Sequence, residues 1–102
     1  MITSFKGKKI LVTGYSSGIG NCLIKKYLSL GAKVYSTSTK LEFKKKNLIV
    51  LKCNFLNQHS QDIFFKKIEN ITFDVVVNNA GINIIDEIYN IKDQDIEKII
   101  RI

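Results

Sequence analysis

At 102 residues, 45% of them hydrophobic, the chain has room for one small domain and too much apolar character for a disordered tail. It contains no apolar run of membrane-spanning length and no signal-like apolar stretch at its N-terminus, so it reads as soluble and cytoplasmic, without a membrane partner. The net charge of +7 is almost all lysine, in separated groups (Lys6 with Lys8-Lys9, Lys25-Lys26, Lys44-Lys45-Lys46, Lys66-Lys67), and Arg101 is the single arginine, so nucleic acid is not an expected partner.

In chain order, Lys9–Thr13 reads as a first strand and runs into a glycine-rich turn. A helix is predicted over Gly18–Leu30, with Ile19, Leu23, Tyr27 and Leu30 as its apolar stripe and Gly31 as its C-cap. Lys33–Thr37 is the second strand and Leu48–Cys53 the third. The ten residues between them, Ser38 to Asn47, are short for a crossover helix, so Lys44-Lys45-Lys46 is placed in a loop or a single helical turn. A second helix follows from about Gln58 to Glu69, with Ile63, Phe64 and Ile68 on its apolar face. Phe73–Asn78 is the fourth strand, and a last helical pattern begins near Asp93, with Ile96, Ile99 and Ile100 on one side.

This alternation predicts an α/β fold, a doubly wound parallel sheet covered on both faces, as one domain over residues 1–102. Cys22 and Cys53 fall on a predicted helix and strand without metal-type spacing, and are expected to be buried, reduced thiols. His59 is a lone loop residue with a structural or solvated role, and no metal site is expected.

The turn Thr13-Gly14-Tyr15-Ser16-Ser17-Gly18-Ile19-Gly20 carries the chemistry. A strand, a glycine turn and a helix N-terminus together form an anion site, because the helix end presents unpaired N–H groups and partial positive charge. Gly14 permits the turn, Ser16 and Ser17 offer hydroxyls and N–H groups, Gly18 allows close packing, and Ile19 and Gly20 bring further N–H groups to a pyrophosphate. Ser16 and Ser17 also suit simple helix capping, which uses the same end. The spacing is G-x-x-x-G-x-G with no Lys-Ser or Lys-Thr pair behind it, unlike a nucleoside-triphosphate loop.

At the end of the second strand stand Ser38, Thr39 and Lys40, with Glu42 the only acid nearby. An NAD ribose is normally met there by a carboxylate, whereas a 2′-phosphate gains from hydroxyls and cations, so NADP is expected over NAD.

Phe73-Asp74-Val75-Val76-Val77 then leads into Asn78-Asn79-Ala80-Gly81. With T-G-x-x-x-G-I-G near the start, this pair resembles the signature of the short-chain dehydrogenase/reductase family, over essentially the whole chain. The resemblance implies a Rossmann-type fold and strand order three, two, one, four. It places Asn54 and Phe55 at an adenine pocket, though Phe55 suits the core equally, and Asn79, Ala80 and Gly81 beside a cofactor ribose, with Thr13 bracing the turn and Asn78 tying strands together. It further implies a carbonyl or alcohol substrate and a homo-oligomeric full-length form.

Within the family the pattern is similar to 3-oxoacyl-acyl-carrier-protein reductases. Family catalysis uses a Ser and a Tyr-x-x-x-Lys. Here Tyr15, Tyr27, Tyr35 and Tyr89 are followed at that spacing by Ile19, Gly31, Thr39 and Asp93, so no catalytic residue is assigned. The helical pattern reaches Arg101-Ile102 without a stop signal. The expectation is therefore the cofactor-binding, N-terminal half of an enzyme, whether a truncated product, a fragmentary record or a piece of a split protein. A non-catalytic nucleotide-binding or regulatory fragment is the alternative.

Overall fold

The computed structural model describes residues 4–79. In chain order these form β1 (Lys9–Val12), α1 (Gly18–Ser29), β2 (Lys33–Ser38), β3 (Phe43–Lys45), β4 (Leu48–Lys52), α2 (Gln58–Ile68) and β5 (Val75–Val77). The expected elements lie within one or two residues of these bounds, the usual scatter at fraying ends. The helix anticipated near Asp93 lies outside the described residues.

The sheet order is β3-β4-β2-β1-β5. β4, β2, β1 and β5 are parallel, and β1 lies between β2 and β5, with Leu11 opposite both Tyr35 and Val76. This is the order expected for the four anticipated strands. The chain reverses direction across the sheet at β1, which opens a crevice at the C-terminal strand ends.

Alternation divides the core between the two faces. Ile10, Val12, Val34, Leu48, Val50 and Val75 pack on one side with Ile24 of α1. Leu11, Tyr35 and Val76 pack on the other with Phe64 and Ile68 of α2. α1 ends in a Schellman arrangement, with Gly31 N–H donating to the Leu28 carbonyl and Ala32 N–H to that of Tyr27. At the N-terminal end of β1, Asp74 accepts from Lys9 N–H at 2.9 Å and aligns β5 with β1.

Several expectations are corrected. The segment holding Lys44 and Lys45 is neither loop nor helical turn. It is β3, which pairs antiparallel with β4, while Lys46-Asn47 makes the turn of the hairpin. Two strands joined by two residues need no crossover, so the short segment suffices.

Ile19 is 70% exposed and is not part of the α1 stripe, whose inward residues are Gly20 and Ile24, with Leu23 and Tyr27 at its margin. Ile63 is exposed, since only one of the neighbours Ile63 and Phe64 can face the sheet, and the larger ring does so. Cys22 is exposed while Cys53 is buried, and His59 stands in the first turn of α2 rather than in a loop. Among the described residues no helix is long and apolar enough to cross a membrane.

Candidate functional site

The glycine turn leaves β1 at Thr13, whose side chain is fully buried. Its hydroxyl accepts from Asn79 N–H at 2.9 Å and donates to Asn78 Oδ1 at 3.4 Å. Thr13 therefore ties the exit of β1 to the exit of β5. Gly14 has φ +85°, a conformation costly for a residue with a Cβ, and its N–H donates to Thr37 Oγ1 at 3.1 Å. Tyr15 N–H donates to the Thr37 carbonyl at 2.8 Å, so the turn is pinned to β2 twice.

Ser17 is the N-cap of α1. Its hydroxyl accepts from Gly20 N–H at 2.8 Å, donates to the Gly14 carbonyl at 3.1 Å, and accepts from Asn79 Nδ2. This side-chain knot makes Gly20 the close-packing glycine: a Cβ there would overlap the Gly14 carbonyl oxygen and lie 2.6 Å from Asn79 Nδ2. At Gly18 a Cβ would meet nothing within 4 Å. The packing role expected of Gly18 thus belongs to Gly20, and Gly18 borders open space.

The N–H groups of Ser16, Gly18 and Ile19 make no hydrogen bond among the described residues. The first turn of α1 carries no acidic residue. Uncovered donors at a helix start without a competing carboxylate suit an anion.

Beside the turn, at the C-terminal ends of the parallel strands, lies an open cleft of about 140 Å³. Gly14, Ser16 and Ser17 form one wall, Thr37 to Thr39 another, and Cys53 and Phe55 the far side. Ser38 is buried, and its hydroxyl accepts from the N–H groups of Lys40 and Leu41 at 3.2 and 3.1 Å. Thr39 and Lys40 are exposed.

Thr39 also borders a second cleft of about 440 Å³ that includes Glu42, Lys52, Asn54, His59 and Lys67. Asn54 Oδ1 accepts from Leu56 N–H at 3.0 Å, so this oxygen already shapes its own loop. Phe55 serves both core and cleft, meeting Phe64 edge-on at 5.8 Å. The structure thus gathers Gly14, Ser16, Ser17, Ser38, Thr39 and Phe55 around one cleft, places Asn54 in the next, and joins Asn79 to Ser17. Ala80 and Gly81 lie outside the described residues.

Glu42 accepts from Lys52 N–H at 3.0 Å and from Lys67 Nζ at 2.9 Å. These contacts, the backbone one first, hold its carboxyl below the ordinary value. Burial pushes the Cys53 thiol up to about 11, against a smaller opposing pull from Ser60, so it stays protonated at neutral pH.

Thr37 escaped the reading of the sequence as a site residue, yet its hydroxyl and carbonyl hold the turn. The available signal was Ser36-Thr37-Ser38, a polar run within a central strand, where buried hydroxyls need partners.

Comparison with known proteins matches residues 8–102 to the sequence model of short chain dehydrogenases. A 3-oxoacyl-acyl-carrier-protein reductase from Rickettsia typhi is 37% identical over 96% of this chain and 43% of its own length. An SDR family protein 7-like dehydrogenase/reductase from Dictyostelium discoideum is 33% identical over 94% of this chain and 27% of its own. The chain therefore spans less than half the length of these curated relatives. The crystal structure of a short chain dehydrogenase from Leptospira borgpetersenii with bound NAD+ superposes with TM-score 0.65, at 24% identity, over 86% of this chain and 41% of that one.

Proposed function

Because the chain belongs to the short-chain dehydrogenase family, we propose that it forms the dinucleotide-binding part of an oxidoreductase acting on a carbonyl or alcohol. The observation that carries this reading is the set of uncovered N–H groups of Ser16, Gly18 and Ile19 at the start of α1, beside a cleft at the reversal point of the sheet. A nicotinamide dinucleotide supplies the hydride when bound. In this reading Gly14 to Gly20 hold its pyrophosphate, with Thr13 and Ser17 keeping the turn in shape. Ser38, Thr39 and Lys40 meet the adenosine ribose, Asn54 and Phe55 flank the base, and Asn79, Ala80 and Gly81 border the other ribose. The substrate class favoured is the 3-oxoacyl thioester, by analogy with the Rickettsia reductase.

NADP is favoured over NAD. Exposed Thr39 and Lys40 stand at the end of β2, and the acid near them in the chain among the described residues, Glu42, is occupied by Lys67 and by the Lys52 N–H. A 2′-phosphate carrying roughly −1.5 to −2 charge gains from such surroundings, whereas a ribose hydroxyl finds no free carboxylate. Fluorescence titration with NADPH and NADH tests both points. NADPH should bind several-fold more tightly, and Ser38→Asp should reverse the order. Tighter NADH binding by the unaltered protein would overturn the NADP assignment, and no binding of either would overturn the dinucleotide reading.

A non-catalytic nucleotide-binding role is the second reading, supported by the lack of any Tyr-x-x-x-Lys in these 102 residues. Dinucleotide binding without turnover, in a protein carrying whatever sequence adjoins these residues, would favour it.

A further inference from the structure

The β3–β4 hairpin brings an aromatic ring to the glycine turn. Phe43 of β3 lies opposite the fully buried Val50 of β4, on the same sheet face as α1. Its ring meets that of Tyr15 edge-on, with centroids 5.4 Å apart and planes at 76°. Tyr15 sits between Gly14 and Ser16, and both rings are partly buried against the α1-side core.

Thr13 and Ser17 anchor the turn through hydrogen bonds, but apart from Tyr15 its middle offers no apolar packing: Ser16, Ser17 and Ile19 are exposed, and Gly14 and Gly18 have no side chain. Tyr15 is therefore the side chain through which the turn packs on the core, and Phe43 is its aromatic neighbour. Glu42, next to Phe43, accepts from the Lys52 N–H and holds the other end of the hairpin in place.

We propose that Phe43 is a positioning residue that sets the shape of the glycine turn through Tyr15, and so governs how tightly the turn binds the dinucleotide. The proposal rests on the dinucleotide reading above for its functional consequence, but not for its mechanical part. A ring that merely covered β4 would leave the turn unaffected when removed, and the two roles therefore separate by experiment.

The test uses Phe43→Ala, Phe43→Leu, Phe43→Tyr, Tyr15→Leu and the Tyr15→Leu/Phe43→Leu double variant. Two quantities are measured: hydrogen exchange of the bonded amides of Gly14, Tyr15, Ser17 and Gly20, with Val50 as reference, and the Kd for NADPH. Aromatic pairs of this geometry support an effect of about threefold to tenfold, so Phe43→Ala and Phe43→Leu should speed exchange in the turn and weaken NADPH by that factor. Phe43→Tyr should keep both near the original values, and the double variant should lose no more than Tyr15→Leu alone. If Phe43→Ala fails to fold, Phe43→Leu decides, because it keeps apolar volume and loses only the ring edge. Lower thermal stability with unchanged turn exchange and unchanged Kd would overturn the proposal. Faster turn exchange in a protein that binds no dinucleotide would uphold the positioning and reject the cofactor reading instead.

Discussion

At the scale of single residues, the two glycines that open α1 are not equivalent. A Cβ at Gly20 would strike the Gly14 backbone and the Ser17 hydroxyl, whereas one at Gly18 would enter open space. Gly20→Ala is therefore expected to cost about 1–3 kcal/mol, read from the denaturant midpoint. Gly18→Ala should leave that midpoint unchanged or raised, while weakening NADPH if the pyrophosphate passes there. Equal effects of the two changes on stability would contradict the assignment. The cysteines differ in the same way. Exposed Cys22 should be alkylated by iodoacetamide at pH 8, and buried Cys53 only after unfolding. The Cys53 thiol titrates at about 11 when folded, against 9.0 for a free thiol. Between those values the unfolded chain has released a proton that the folded one retains, so this contribution to stability falls as pH rises from about 9 to about 11. Cys53→Ala should lack that part of the decline. Spacing alone revealed two glycines at a helix start and one cysteine on each of two elements, but not which of them faces inward.

At the scale of elements, β3 is the part least legible in advance. Phe43-Lys44-Lys45 has one apolar residue in three and shows no sustained alternation, so nothing local marks it as a strand. It forms because β4 offers a free edge, and because Phe43 finds the α1-side core on the same face as Val50. Among the described residues β3 is one of the two sheet edges, and Lys44, Lys45 and Lys46 are exposed there. Lysines on an edge hinder pairing with a second chain. Lys44→Val with Lys45→Val should therefore increase self-association, measured by light scattering, with little change in the midpoint of unfolding. An unchanged monomer fraction would deny the lysines that role. The regular elements were legible to a residue or two, because β1, β4 and α2 carry runs and periods that solvent exclusion alone rationalises.

At the scale of the whole molecule, the described residues gather uncovered N–H groups and a cleft that suit the proposed dinucleotide, and the sequence contains no Tyr-x-x-x-Lys. Neither Tyr15, Tyr27, Tyr35 nor Tyr89 has a lysine four residues on. General acid–base assistance typically contributes ~10²–10⁴-fold, so a polypeptide of these 102 residues is expected to show no NADPH-dependent reduction of ketones or 3-oxoacyl thioesters. Turnover that disappears with Gly20→Ala would refute this. The sheet order is itself a consequence of scale: Thr13 reaches Asn78 and Asn79, and Lys9 reaches Asp74, only because β5 returns to lie beside β1.

By itself, the sequence determined the strand–turn–helix start, the four parallel strands and two helices of the described residues, and the family, because periodicity and glycine spacing are local properties of the chain. Only the tertiary structure decided that Gly20 and not Gly18 packs against the turn, that Thr37 and Asn79 hold it, and that β3 supplies Phe43 to Tyr15. Each of these joins residues far apart in the chain, or depends on which side of a helix meets the sheet. Such contacts are selected when the two core faces close, and for Thr37, Asn79 and Phe43 no short window along the chain contains both partners.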